Sequence, residues 1–223
     1  MIVDAKDFKF EMPPQAISAR KILIKPDSVR NVLDTLLEVI KAIKEKSEAD
    51  IFIIGEGEGI EERRVHFLDI RDFSPVEIEN PLQKPFAIST FWVPNILLSC
   101  DFLITISSLK VLNGEPELTL PNLLPLLPEA KYKGEFIGPE KLCEKYGKDN
   151  VIADLYFTIP FDIGIVDGRK KIIKNSSKPK TEKVGKIFVG NPVEVDKEAS
   201  SSLKGEPKYI RLIERVSYDL HDR

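Results

Sequence analysis

The sequence predicts an α/β fold: a layered, mixed and largely parallel sheet with helices on both faces. Three observations predict it. Short apolar runs recur, in residues 22–24, 51–54, 102–106 and 163–166, and runs of this kind suit strands covered on two sides. Between several of them lie stretches whose apolar positions follow a 3.6-residue period. Strand-like and helix-like segments alternate along the chain, as crossover units do and all-α or all-β folds do not.

Taken in order, residues 21–25 (Lys-Ile-Leu-Ile-Lys) read as a short buried strand closed by Pro26. Asp27 then caps a helix carrying Val29, Val32, Leu33, Leu36, Ile40 and Ile43 on one face, because a short carboxylate suits the position before the first turn. Residues 51–54 are a second strand, so strand, helix and strand form a right-handed crossover with Lys25 and Gly55 at one edge. Residues 60–98 are broken by Pro75, Pro81, Pro85 and Pro94 and read as a small lobe of loops and edge strands at 76–78, 86–89 and 91–93. Residues 102–106 are a central strand followed by Ser-Ser-Leu-Lys110. Prolines at 116, 121, 125 and 128 leave room only for single helical turns.

Gly138-Pro139 opens a helix to about Tyr146 that ends at Gly147, and residues 150–158 form another. The strand at 163–166 ends in Asp167-Gly168, which reads as a turn because both residues tolerate turn dihedrals. Residues 183–189 pair with it or with 171–173 as a hairpin. Asn191-Pro192 starts a helix with Glu194 near a capping box, which Gly205 stops, and Ile210, Ile213, Val216 and Leu220 mark a last amphipathic helix. The whole chain, 1–223, reads as one α/β domain with the lobe at about 60–98 and a basic hairpin at about 169–186.

Composition bounds the function. The 223 residues are long enough to bury a core without staples, 31% are charged, and the net charge is -3, so no field over the whole surface draws nucleic acid. Apolar runs fall short of the ~20 residues a bilayer span requires, and the start carries no apolar signal core, so a cytoplasmic protein without membrane association is expected. Cys100 and Cys143 stand apart with no paired ligand motif, so no zinc or iron–sulfur cluster is expected and two reduced thiols are.

Four features are candidates for chemistry. Gly55-Glu-Gly-Glu-Gly59 follows a buried strand, where parallel sheets commonly place ligands. Its Glu56 and Glu58 repel phosphate, and Gly57 completes no nucleotide fingerprint, so a solvated turn or a hard divalent cation such as Mg²⁺ is its expected state. Lys25 and Lys110 each end a strand and project over one sheet edge, where they attract an anion or snorkel to water. Asp154, Asp167 and Asp196 are candidate acids, Asp196 also suiting a helix dipole. Residues 169–186 hold eight basic residues against Glu182 alone, the one patch suited to nucleic-acid phosphates, though a solvated hairpin is the plainer reading.

Several pieces in order resemble the Domain of Unknown Function 362 family: Lys25-Pro26, Ile54-Gly-Glu-Gly57, Cys100-Asp-Phe-Leu-Ile-Thr-Ile with Leu109-Lys110, Leu118-Thr-Leu-Pro-Asn122, Ile152-Ala-Asp154-Leu, Ile165-Val-Asp167-Gly168 and Gly190-Asn-Pro-Val-Glu-Val-Asp196. The resemblance implies a mixed α/β domain, and it makes this chain a short, divergent member: family members usually carry Lys-Thr-His where Lys110-Val-Leu stands, and an iron–sulfur module that this chain lacks. On that footing Asp167 and Asp154 are the expected base or cation ligands. Lys25, Gly55, Glu56, Gly57, Lys110, Asn122 and Asp196 are the expected ligand-binding set. The expected function is binding, with turnover left open, of a small anionic molecule at the strand ends. The alternatives are a non-catalytic partner of a separate ferredoxin-like protein and, last, association with nucleic acid through the basic hairpin.

Overall fold

A computed structural model describes residues 1–55, 60, 63–132, 138–174, 179–203 and 205–221. In chain order the elements are β1 (Ile2–Asp4), α1 (Pro14–Ser18), β2 (Lys21–Pro26), α2 (Leu33–Lys46), β3 (Asp50–Ile54), β4 (Val65–Leu68), β5 (Pro75–Glu79), β6 (Thr90–Pro94) and α3 (Ile96–Ser99). They continue with β7 (Phe102–Leu112), β8 (Glu115–Glu117), α4 (Gly138–Tyr146), α5 (Lys148–Thr158), β9 (Ile163–Lys174), β10 (Lys180–Gly190), α6 (Pro192–Ser200) and α7 (Lys208–His221).

The main sheet runs β1-β10-β9-β7-β2-β3-β4, with β8 added to β7. Its middle, β9-β7-β2-β3-β4, is parallel throughout, and β10 and β1 continue it antiparallel. Ranked by position in the chain, the parallel strands stand in the order 5-4-1-2-3. That is the doubly wound order, in which the direction of progression reverses between the first and fourth strands, here β2 and β7. Side-chain alternation then feeds the two larger of three apolar clusters among the described residues. Ile22, Ile24, Ile51, Ile53, Ile104 and Ile106 meet Leu36, Val39, Ile40 and Ile43 of α2, while Leu23 and Leu103 meet Val151, Leu155, Ile210 and Ile213 of α5 and α7. Each such side chain contributes about 1.5–3 kcal/mol on burial, and a one-residue slip would carry every one of them to the wrong face. Among the described residues no helix is long and apolar enough to cross a membrane.

Several sequence expectations are corrected. The strand expected at 102–106 runs on to Leu112 and the one expected at 163–166 runs on to Lys174, so Asp167-Gly168 is no turn. The pair sits inside β9, where Ser108 opposes Asp167 but Leu109 opposes Lys171. The three residues between form a bulge. Glycine is required there because a Cβ on Gly168 would stand 2.7 Å from the Lys186 carbonyl oxygen, closer than any packed carbon can come. Residues 86–89 form no strand, and the amides of Phe86, Ala87 and Ile88 turn instead to the Asp154 carboxylate. Among the described residues β5 and β6 pair only with each other, as a separate antiparallel two-stranded sheet inside the 60–98 region. Helix α6 ends at Ser200, before Gly205.

Candidate functional site

The reversal between β2 and β7 leaves a gap at the carboxyl ends of the strands, and ligands of doubly wound sheets settle in that gap. A crevice of about 670 Å³ opens beside it. Lys25, Pro26 and Asp27 come from the end of β2, and Val29, Arg30 and Leu33 from the connection into α2. Ile54 and Gly55 close β3, and Ile70 and Pro125 face them. Gly55 has φ +141°, while a Cβ there would meet nothing nearer than 3.7 Å, so backbone conformation and not space demands glycine at this turn.

Lys25 does not snorkel to water, being only 7% exposed. Its ammonium donates to the Pro26 carbonyl oxygen at 2.8 Å and to Asn122 Oδ1 at 3.0 Å. The Asn122 amide nitrogen donates in turn to the Lys25 carbonyl oxygen at 3.0 Å and to Thr105 Oγ1 at 3.1 Å, which fixes the oxygen toward the lysine. Both partners of the ammonium are neutral. Among the described residues no carboxylate lies within ion-pair distance of it. Burial therefore lowers its pKa to about 8, the nearby Asp27 charge opposing that shift and the Lys110 charge adding to it.

Asp27 was expected to cap α2, and it does not. The helix begins six residues later, at Leu33, with Val32 before it and no side-chain cap. Asp27 is drawn instead to β7: its backbone N–H donates to the Ile106 carbonyl oxygen at 2.8 Å. Its Oδ2 accepts from Ser108 Oγ at 2.6 Å and from Lys110 Nζ at 3.2 Å. The other oxygen, Oδ1, is buried without a hydrogen-bond partner, although buried carboxylate oxygens are nearly always satisfied. Asp27 thus sits between the tips of the two lysine-bearing strands, pairs with Lys110 at 3.2 Å and acts on Lys25 only through its charge, without a contact among the described residues.

The remaining expected site residues scatter. Asp167 lies one strand beyond Ser108, toward α2, where it accepts from Thr35 Oγ1 at 2.7 Å and pairs with Arg169 at 2.5 Å. Asp154 is fully buried and accepts the backbone N–H groups of Phe86, Ala87 and Ile88 at 2.7–3.1 Å. Asp196 accepts from Thr119 N, Thr119 Oγ1, Leu120 N and Tyr209 Oη at 2.6–3.0 Å. Burial lifts the Asp196 pKa to about 6 in spite of those donors. The structure therefore places Lys25 and Gly55 in the crevice lining, joins Asn122 to it through Lys25 and Lys110 through Asp27, and turns Asp154 and Asp196 to tying loops and helices together. Glu56 and Gly57 lie outside the described residues, as does the Glu58 that the cation expectation needs.

On the basic hairpin, Arg169, Lys171 and Lys186 face Asp167, Glu182 and Asp4 across ion pairs, and residues 175–178 lie outside the described residues. Among the described residues, no three or more His, Cys, Asp or Glu side chains form a group that could hold a metal ion. Cys100 and Cys143 are unpaired thiols. Sequence reasoning missed Asp27 as a site residue, along with Arg30 and Ser108. A signal existed: Ser107-Ser108 interrupts an otherwise apolar strand, and a polar pair there needs a partner, which Asp27 supplies to Ser108. No family model and no curated protein matches the chain.

Proposed function

We propose that this protein binds a small anionic molecule in the crevice at the carboxyl ends of β2 and β3. The observation that carries the reading is the Lys25 ammonium, buried at the crevice with two neutral hydrogen-bond acceptors and no ion pair among the described residues. A buried cation without a counter-ion is costly, and an entering carboxylate or phosphate supplies that counter-ion. Arg30 at the crevice wall adds a second positive charge, and Lys110, tied to Asp27, stands behind. The doubly wound strand order supports the same location. The resemblance to the Domain of Unknown Function 362 family adds support, since Lys25, Lys110 and Asn122 all fall in the segments that carry it.

The test is thermal unfolding of the full chain titrated with inorganic phosphate, sulfate and small carboxylates. A ligand at a hundred times its Kd adds about 2.7 kcal/mol to stability, so the midpoint should rise with at least one anion. The rise should disappear in Lys25→Met. If no anion moves the native midpoint, or the variant responds as the native chain does, the reading fails.

A further inference from the structure

We propose that Lys25 is the reactive amine of this crevice, and that it condenses with the carbonyl group of a small anionic aldehyde or 2-oxo acid to form an imine. The inference rests on the anion-binding reading and adds a chemical step to it. Its first ground is geometric. Lys25 belongs to the crevice lining, and its side-chain nitrogen is backed by two fixed neutral acceptors, the Pro26 carbonyl oxygen and Asn122 Oδ1. Two contacts hold the nitrogen in place and leave its remaining valence for a ligand.

The second ground is electrostatic. The only carboxylate near Lys25 among the described crevice residues is Asp27, and its Oδ2 is committed to Ser108 and Lys110. Among the described residues no ion pair holds Lys25 in its charged form; the Asp27 charge favours that form, and burial and the nearby Lys110 charge oppose it. The free base is the form that attacks carbon, and desolvated lysines beside other cations are the ones enzymes use as nucleophiles. A pKa of about 8 agrees with that placement. The third ground is the wall: Val29, Leu33, Ile54 and Ile70 flank the amine with apolar surface, which limits the hydration of an imine once formed.

The step balances without any oxidant or reductant. The nitrogen lone pair attacks the carbonyl carbon, the carbonyl π pair moves to oxygen, and a proton passes from nitrogen to oxygen to give a carbinolamine. Protonation of its hydroxyl releases water as the C=N bond forms, so amine and carbonyl yield imine and one water. Arg30, on the same wall, is placed to hold the acid group of the substrate.

The experiment incubates the intact protein with glyoxylate and cyanoborohydride from pH 6 to pH 10 and maps the reduced adducts by peptide mass spectrometry. The exposed Lys41 and Lys84 serve as internal references. At pH 8 the larger free-base fraction of Lys25 should give labelling at least ~10-fold faster than theirs, allowing for the lower nucleophilicity of a weaker base. The Lys25 preference should also be greater with glyoxylate than with the uncharged acetaldehyde. Labelling of Lys25 no faster than Lys41, or a preference unchanged between the two aldehydes, overturns the inference. If phosphate or glyoxylate still raises the unfolding midpoint, anion binding survives that result. If it does not, both proposals fall together.

Discussion

Two sets of buried charges sit in one domain and are treated oppositely. Asp154 and Asp196 have no exposed surface, and each is surrounded by donors, three amides for one and four donors for the other. Lys25 and Asp27, at the reversal in strand order, are nearly as buried, yet among the described residues the lysine has no ion-pair partner and one oxygen of the aspartate has no hydrogen-bond partner. Satisfaction of both oxygens marks the first pair as fasteners, since each oxygen helps hold a loop or helix in place. Incomplete satisfaction marks the second as a place where the fold has left stabilisation unclaimed, which a ligand can supply.

The sharpest way to break this comparison is at Asp196. It joins residues 119 and 120 to α6 and, through Tyr209, to α7. Asp196→Ala leaves three donors without an acceptor, Thr119 Oγ1 alone keeping the Pro192 carbonyl oxygen, and the unfolding free energy should fall by on the order of 4 kcal/mol in chemical denaturation. Its pH dependence supplies a second reading. The folded-state pKa is about 6 against an ordinary 3.8, so between those values the folded chain holds the proton more tightly than the unfolded chain. The contribution is full below about pH 3.8 and is lost as pH rises through about 6. The difference in stability between the native chain and Asp196→Asn should decline over that window, and a flat difference would contradict it.

Asp154→Ala is the next expected loss. The amides of Phe86, Ala87 and Ile88 are only half-buried, so water can take up part of what the carboxylate gave them, and the cost should be nearer about 2 kcal/mol. The effect should also be local. Hydrogen exchange at residues 86–88 should accelerate far more than exchange in β2 or β7, and equal acceleration everywhere would show that Asp154 does more than pin this segment.

How much of this was legible beforehand follows from which signals are local. The β2, α2 and β3 crossover was readable, because period and apolar run are properties of neighbouring residues, and so was the shared edge of Lys25 and Gly55. The true ends of β7 and β9 were not. Ser107-Ser108 and Asp167-Gly168 look like strand stops until one sees that a neighbouring strand pairs with each, and pairing partners lie about 60 residues apart in the chain. The acids illustrate the same limit more severely. Asp27, Asp154, Asp167 and Asp196 are indistinguishable as letters. What separates them is the set of donors that the fold delivers from elsewhere: Ser108 and Lys110 to Asp27, residues 86–88 to Asp154, Thr35 to Asp167, and Thr119 and Tyr209 to Asp196. Asp27 in particular reads as a cap because a helix pattern begins two residues on, and only the register of β2 against β7 reveals its other partner.

The smallest expected effect tests the comparison from its other side. Lys25→Met keeps the aliphatic stem and removes the charge, at the expense of two hydrogen bonds to neutral acceptors. A buried charge without a partner contributes little net stability, and replacing one by an apolar isostere is often neutral or better, so the variant should lie within about 1 kcal/mol of the native chain at neutral pH. The sign of the pH trend is the stronger check. The folded-state pKa of Lys25 is about 8 and the ordinary value 10.5, so between them the unfolded chain binds the extra proton. The lysine's contribution is therefore full above about pH 10.5 and is lost as pH falls through about 8. Relative to Lys25→Met, the native chain should gain stability as pH rises across that window. Were the gap to stay constant, or run the other way, Lys25 would have to carry an anionic partner in the folded chain, and the contrast between satisfied fasteners and an unsatisfied site would lose its central member.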